Sequence, residues 1–188
     1  MINYYKKNIA VFFIFMAMMM GVNMSSAEAN SVTAENTLVM ELKNGSVTIE
    51  MLPEIAPNHV MRIKELVKDK FYDGLLFHRV IDGFMAQTGD PRGDGTGGSG
   101  VKLEAEFSQE SHVRGVVSMA RAQDPNSGDS QFFIVFQDSN WLDGQYTVWG
   151  RVTDGMEFVD QIKRGDGQNG MVNDPDSIIS LKLLSEKN

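Results

Sequence analysis

The chain has 188 residues, a formal net charge of −8 and no cysteine. This length is enough for one domain with a sizeable core. The acidic balance disfavours a nucleic-acid or anionic-membrane partner, since both attract clusters of lysine and arginine. The lack of cysteine excludes disulfides, thiolate nucleophiles and cysteine-based metal sites, so the core alone must hold the fold together.

The first 29 residues have the pattern of a cleavable signal peptide. Lys6 and Lys7 form a positively charged start, and residues 9–22 form an unbroken apolar run of 14 residues. As a helix this run would span about 21 Å, short of the roughly 30 Å hydrocarbon core of a bilayer. Small residues at Ala27 and Ala29 have the spacing that signal peptidase requires. We therefore predict cleavage after Ala29, with an uncleaved N-terminal anchor as the alternative.

A short polar segment, residues 30–36, is predicted to be a flexible linker into the folded domain. Apolar residues then alternate between residues 38 and 52 on both sides of Asn44-Gly45, which is typical of a β-hairpin. Pro57 suits the first turn of a helix, and the apolar positions after it have helical spacing.

The rest of the chain alternates short apolar strands with glycine-rich or polar turns. The predicted strands are Leu75–Val80, Phe84–Thr88, Val116–Ala120, Gln131–Phe136, Thr147–Val152 and Ser177–Leu184. A second helix is predicted over Met156–Arg164. Residues 37–188 are thus one domain dominated by β-structure, with about eight strands and two helices. Because the strands do not alternate one-for-one with helices, we predict a closed antiparallel barrel capped by two helices.

Metal, nucleotide and hydrolase sites have little support in the sequence. No two of the three histidines lie within four residues of each other, so no metal is expected. Residues 93–98 match G-x-G-x-x-G, but no helical pattern follows. We interpret these glycines as a loop whose backbone passes close to a ligand. Ser118 and Ser130 lie in no G-x-S-x-G elbow, and a hydrolase that pairs one of them with a histidine stays an alternative.

Three other clusters combine polar and aromatic side chains. Arg79 stands in an apolar strand, and residues 84–87 follow it across a glycine turn. If both stretches belong to one sheet, Arg79 and Gln87 can point into one pocket; a structural ion pair is the alternative for Arg79. Residues 130–134 and 141–146 supply further amide and aromatic side chains, either to a ligand or to the core.

At these clusters the sequence resembles the cyclophilins. The matching pieces are F-H-R-V-I-D-G-F-M-A-Q-T-G-D, G-x-G-T-G-G, G-V-V-S-M-A-R-A, S-Q-F-F-I and W-L-D-G-Q-Y-T-V-W-G-R-V. They occur in the family's order, and the resemblance covers nearly all of residues 37–184, with features of the bacterial branch. It implies an eight-stranded antiparallel barrel with the site on its outer face. It also implies a peptidyl-prolyl cis/trans isomerase without cofactor or metal.

The resemblance assigns roles to individual residues. Arg79 would be the catalytic arginine, which bonds the twisted prolyl nitrogen. The expected substrate-binding residues are Phe84, Met85, Phe133 and Leu142 in the proline pocket, Gln87 and Gln131 on the substrate backbone, Ala120 and Arg121 under the residue before proline, Trp141 at the rim, and Tyr146. The best-studied eukaryotic members have His in place of Tyr146 and Asn in place of Arg121. We expect activity to survive the first change and Arg121 to act mainly through its backbone.

The predicted partners are unfolded or flexible proline-containing polypeptides, on which the enzyme would act in the periplasm during folding of exported proteins. Trp141 matches the members that bind cyclosporin, so inhibition by cyclosporin is expected. A monomer is implied, with no nucleic-acid partner and no membrane contact after signal removal. The alternative function is a non-catalytic, chaperone-like binder of proline-containing segments, which would need the pocket but not Arg79.

Overall fold

Eight short strands form one antiparallel sheet in the computed structural model, which describes residues 33–167 and 169–186. The strands are β1 (Thr37–Leu42), β2 (Gly45–Met51), β3 (Arg79–Ile81), β4 (Met85–Thr88), β5 (Val116–Met119), β6 (Phe132–Val135), β7 (Val148–Asp154) and β8 (Ser180–Leu183). Their order across the sheet is β3-β4-β6-β5-β7-β2-β1-β8. The predicted β-dominated class and strand number are confirmed. The predicted signal peptide at residues 1–29 lies outside the described residues.

The sheet curls into an open half-barrel, so the predicted closure of the barrel is not confirmed. The end strands β3 and β8 have three and four residues, and no strand ladder joins them among the described residues. Single bridges, Leu76 with Ser177 and Arg79 with Met171, are formed instead by the segment before β8.

The strand predicted at Leu75–Val80 begins too early. Residues before Arg79 bond to the segment ahead of β8: the Phe77 N–H donates to Asp176 O over 2.9 Å, and the Val172 N–H donates to His78 O over 3.0 Å. Pairing with β4 starts only at Arg79. The apolar pattern therefore identified a segment that is partly buried, at Phe77, His78 and Val80, but it did not identify the pairing partner.

Two α-helices occur in the described part of the chain, α1 (Pro57–Lys68) and α2 (Met156–Val159). The first matches its prediction. The second ends after one turn, well short of the predicted Arg164. The Arg164 side chain folds back, and its Nη1 donates to the carbonyls of Asp160 and Ile162 over 2.8 and 2.6 Å. A side chain thus satisfies carbonyls that a longer helix would have used.

No helix in residues 33–167 and 169–186 combines the length and the apolar composition needed to cross a membrane. Residues 33–35 form a helical turn before β1. Asn36 joins this turn to the domain, because its carbonyl accepts from the Met51 N–H over 2.7 Å and its Oδ1 accepts from Lys64 Nζ over 2.6 Å. The end of the predicted linker therefore contacts β2 and α1.

The two faces of the sheet carry two apolar clusters. The larger cluster packs against α1 and contains the fully buried Trp149, Tyr72 and Phe77. The second cluster lies on the opposite face and consists of Leu52, Met85, Val116, Phe133, Val135, Leu142 and Val148. Since side chains alternate along a strand, neighbours of Met85 and Phe133 fill the first core while these two residues line the second.

Candidate active site

Arg79, Gln87 and Phe133 form a row across three adjacent strands on the face of the second cluster. Arg79 of β3 is directly opposite Gln87 of β4, and Gln87 is directly opposite Phe133 of β6. Directly opposed residues of antiparallel strands project from the same face. The prediction that Arg79 and Gln87 share one face is therefore confirmed.

A chain of hydrogen bonds, here called the amide relay, connects Arg79 to the glycine loop. Nη1 of Arg79 donates to Oε1 of Gln87 over 3.1 Å, and Nε2 of Gln87 donates to Oε1 of Gln131 over 2.8 Å. Nε2 of Gln131 donates to the carbonyls of Gly95 and Gly97 over 3.1 and 2.8 Å. Every donor in the relay points away from Arg79, so the relay has a single direction.

Arg79 is held by oxygen atoms of amides and not by a carboxylate. Its Nε donates to the carbonyl of Asn169 over 3.0 Å, in addition to the bond to Gln87. Within the described residues no ion pair includes Arg79 and its Nη2 has no hydrogen-bond partner, so the ion-pair alternative finds no support there. Burial lowers the pKa of Arg79, because desolvation penalises the charged form. The guanidinium remains charged, and Nη2 is free to donate to a ligand.

An apolar group of side chains, here called the apolar pocket, lies on the same face of the sheet as this arginine. Its base is formed by Met85, Phe133 and Leu142, which are 1%, 5% and 7% exposed. The Phe84 and Tyr146 rings are half-buried and lie 6.5 and 5.8 Å from the Phe133 ring. All four residues that the resemblance assigns to the proline pocket are thus brought together, in the second cluster or packed against it, and their contact with a substrate stays a prediction.

Trp141 forms the outer edge of the pocket. Its ring centroid lies 5.6 Å from that of Phe84, and the residue is 62% exposed. Leu142, the next residue in a 3₁₀ turn (Asn140–Leu142), points inward and is buried. A large aromatic side chain that is mostly exposed beside an apolar pocket is suited to contact with a ligand.

The Arg121 side chain packs on Tyr146 and bonds to the neighbouring backbone. Its guanidinium lies 4.5 Å from the centroid of the Tyr146 ring, and its Nε and Nη2 donate to the carbonyl of Gln145 over 3.1 and 3.0 Å. These contacts connect the Arg121 side chain to the segment that carries Tyr146, and the expected backbone role toward a substrate stays a prediction. Arg121 also lines a cavity of about 280 Å³ together with Gln87, Gly95, Thr96, Gly97, Lys102, Ala120, Ala122, Ser127, Asp129 and Gln131.

The hydrolase alternative requires a serine next to a histidine, and Ser118 does lie next to His112. Ser118, His112 and Asp143 are hydrogen-bonded in series. His112 Nε2 lies 3.0 Å from Ser118 Oγ, and His112 Nδ1 lies 3.0 Å from Asp143 Oδ1. Both Ser118 and His112 are 0% exposed, and the Ser118 hydroxyl donates to the Thr147 carbonyl over 3.0 Å. A hydroxyl that is sealed in and already engaged cannot attack a substrate, so this constellation supports the loop that carries Leu142 and Tyr146.

The sequence did not predict which groups fix the site residues in position. The Asn169 carbonyl and the His112–Asp143 pair are distant in sequence from the residues they support. The glycine loop was expected to pass close to a ligand, which stays a prediction; its bonds to Gln131 through the Gly95 and Gly97 carbonyls were not expected. The predicted turn at Asp143-Gly144 was the one local pattern near the His112–Asp143 contact, and it did not indicate the histidine.

Comparison with known proteins gives the same family. Residues 37–183 match the family described as cyclophilin type peptidyl-prolyl cis-trans isomerase/CLD. The chain is 50% identical over 171 residues to a probable peptidyl-prolyl cis-trans isomerase of Brucella suis biovar 1 (strain 1330), covering 84% of this chain and 87% of that protein. It is 45% identical over 128 residues to peptidyl-prolyl cis-trans isomerase B of Bacillus subtilis (strain 168), covering 66% and 89%.

Solved structures with the same architecture include two cyclophilins. One, from Hirschia baltica, has a TM-score of 0.73 and 28% identity, covering 89% of this chain and 83% of that one. The other, from Cryptosporidium parvum and crystallised in the presence of the dipeptide Ala-Pro, has a TM-score of 0.73 and 27% identity, covering 78% and 98%. With the sheet, the pocket and the sequence in agreement, the chain belongs to the cyclophilin-type peptidyl-prolyl cis-trans isomerases.

Proposed function

We propose that this isomerase accelerates rotation about X–Pro bonds in exported polypeptides, with Arg79 stabilising the twisted bond. The observation that carries the proposal is the state of Arg79. Its Nε and Nη1 are fixed by Asn169 and Gln87, while Nη2 has no partner among the described residues and lies on the face of the sheet that carries the apolar pocket.

The chemistry of the reaction requires such a donor. Rotation about an X–Pro bond has a barrier of about 18–20 kcal/mol, because resonance joins the nitrogen and the carbonyl. Twisting the bond localises a lone pair on the prolyl nitrogen. Arg79 can donate to that nitrogen only when the bond is twisted, so the interaction is stronger in the transition state than in the ground state. No bond breaks, and the step needs neither nucleophile nor metal.

The energy of a single hydrogen bond limits how much of the rate acceleration Arg79 can supply. An acceleration of about 10⁵ requires roughly 7 kcal/mol, and a hydrogen bond to a charged group contributes about 1.5–3 kcal/mol. The remainder must come from holding the chain in a twisted form and from the apolar walls, which exclude water that favours the planar, polar amide.

The amides of the relay are suited to hold the substrate backbone. Both N–H groups of Gln131 are used by the glycine loop, whereas Gln87 uses one N–H for Gln131 and keeps the other. The Oε1 atoms of Gln87 and Gln131 each keep one lone pair. Together they can bond to a peptide N–H and a peptide carbonyl next to the proline.

Arg79→Ala tests the proposal. We expect the rate of cis-to-trans relaxation of an Ala-Pro test peptide to fall by roughly tenfold to a few hundredfold, in line with the loss of one charged hydrogen bond. Arg114→Ala, which removes an exposed arginine paired with Asp160, is the matched control and should leave the rate unchanged. A mutant within twofold of the wild type removes Arg79 from the mechanism. A folded wild type without any acceleration leaves the chaperone-like binder.

The place of action is a separate part of the proposal. The charged start, the apolar run and the small residues ending at Ala29 support export to the periplasm. Fractionation of cells that express the full chain, with mass measurement of the recovered protein, tests it. We expect a periplasmic protein that begins at Asn30; a full-length protein in the membrane fraction indicates an uncleaved anchor.

A further inference from the structure

The carboxylate of Asp90 is buried against the glycine loop and is 1% exposed. Its Oδ1 accepts from the Arg92 N–H over 2.8 Å, and its Oδ2 accepts from the N–H groups of Asp94 and Gly95 over 3.2 and 2.6 Å. A methyl group added at Gly97 would collide with Oδ1. One side chain therefore determines the course of the backbone from residue 92 to residue 97.

This loop is also the end of the amide relay. While the Arg92, Asp94 and Gly95 N–H groups point to Asp90, the carbonyls of Gly95 and Gly97 accept both N–H groups of Gln131. The loop thus connects a buried carboxylate on one side to a substrate-facing amide on the other.

The loop carbonyls determine the direction of the relay. With both of its N–H groups engaged, Gln131 must present Oε1 to Gln87, and Gln87 must then present Oε1 to Arg79. If Gln131 alone turned over, its Nε2 would meet Nε2 of Gln87, and the bond between the two amides would be lost. If Gln87 turned over as well, that bond would be restored, but Gln87 would then direct N–H groups at the guanidinium and Arg79 would lose a holding partner.

We propose that Asp90 is a positioning residue for the isomerase reaction: it holds the glycine loop so that Gly95 and Gly97 orient Gln131, Gln87 and finally Arg79. Among the described residues the hydrogen bonds of Asp90 all go to the loop and none to the apolar pocket, so Asp90 would act through the loop. The inference rests on the role proposed above for Arg79.

The charge of Asp90 is stable at neutral pH. Burial acts to raise its pKa, but hydrogen bonds from the backbone N–H groups of Arg92, Gly97 and Gly95 outweigh burial and lower the pKa below its usual range. A neutral amide in its place would have one acceptor oxygen instead of two and would direct an NH₂ group at a backbone donor.

The first test is Asp90→Asn in the full chain. We expect kcat/KM for the Ala-Pro peptide to fall by roughly 5- to 30-fold, mainly through kcat, since the arginine acts in the transition state. The side-chain amide NMR signals of Gln131 and Gln87 should shift. Glu106→Gln, which changes a partly buried carboxylate that also accepts from backbone N–H groups, is the control; it should leave kcat/KM and both amide signals unchanged.

A double-mutant cycle separates positioning from general destabilisation. If Asp90 acts through Gln131, then Asp90→Asn should have little further effect in a Gln131→Ala background. Equal effects in both backgrounds, or unchanged amide signals in Asp90→Asn, overturn the proposal. Should Asp90→Asn fail to fold, Gly97→Ala disturbs the same contact from the loop side and should shift the same signals.

These outcomes are distinct from a failure of the arginine mechanism. A small effect of Arg79→Ala contradicts the proposed role of Arg79. Amide signals that shift in Asp90→Asn would still establish the loop's control of the relay, whereas additive effects with Gln131→Ala would refute the Asp90 proposal even if Arg79→Ala is nearly inactive.

Discussion

Arg79 and Gln87 are directly opposed across β3 and β4, and Nη1 of the arginine donates to Oε1 of the glutamine over 3.1 Å. The register of two short strands thus brings together residues eight positions apart. Because register determines which face each side chain occupies, a shift by one residue would send Arg79 into the apolar core.

The fork geometry of Arg79 is predicted to matter beyond its charge. A lysine has one nitrogen, which cannot reach Asn169 and Gln87 and also donate to a substrate from fixed positions. We expect Arg79→Lys to lower kcat/KM by about tenfold or more. Relaxation of the Ala-Pro peptide measures this loss, with Arg114→Lys as the surface control. A lysine variant with wild-type activity would mean that charge alone suffices.

The N-terminus of α1 is predicted to depend on Glu106. This carboxylate accepts from the backbone N–H groups of Asn58 and His59 over 3.1 and 3.0 Å, and it also contacts His59 Nδ1 at 2.6 Å. Glu106→Gln should lower the free energy of unfolding by about 1–2 kcal/mol. Urea unfolding measures the change. Glu65→Gln, which affects an exposed pair with Arg62, should change stability by less than about 0.5 kcal/mol; equal effects would contradict the assignment.

Stability is predicted to fall in mild acid because of two buried histidines. Burial lowers the pKa of His59 and of His78; Glu106 opposes the shift at His59, and Asp90 opposes it at His78. The unfolded chain, with pKa about 6.5, therefore binds more protons than the folded chain below this pH. The stabilisation is fully present above about pH 6.5 and is lost as pH falls through the folded pKa.

Urea unfolding between about pH 7.5 and 5 measures this slope. The slope should be smaller in His78→Gln, which removes one of the two titrating groups. A free energy of unfolding that stays constant from about pH 7.5 down to about pH 5 would contradict the explanation by His59 and His78.

Asp143 makes a separate contribution to stability at lower pH. The His112 backbone N–H is the largest cause that lowers the pKa of Asp143 to about 2, so the stabilisation from this carboxylate is lost only below the ordinary aspartate range.

Ligand binding is predicted to change the fluorescence of one of the two tryptophans. Trp141 is 62% exposed beside Phe84, whereas Trp149 is 0% exposed in the main core. Cyclosporin, if it occupies the pocket, should desolvate Trp141 and produce a saturable emission change together with inhibition. Trp141→Phe should abolish that change and keep the emission of Trp149. A wild-type titration without a saturable signal would remove cyclosporin as a ligand.

Local pattern was enough to predict the β-dominated class, α1 and most strands. Alternation on the two sides of the glycine turn indicated that Gln87 could share a face with Arg79 before their pairing was known, whereas Phe133 was grouped with them only by the family resemblance. The family resemblance then supplied their expected roles. These features depend on period and on short motifs, which are properties of neighbouring residues.

Only the tertiary structure decided what holds the site. The Asn169 carbonyl is 90 residues from Arg79, the Gly95 carbonyl is 36 residues from Gln131, and Ser118 faces Thr147 from 29 residues away. Contacts of this kind have no local pattern, because loop closure and not periodicity brings them together. The same reason explains the open half-barrel: whether two end strands meet depends on the curvature of the whole sheet, whereas the existence of each strand depends on its own residues.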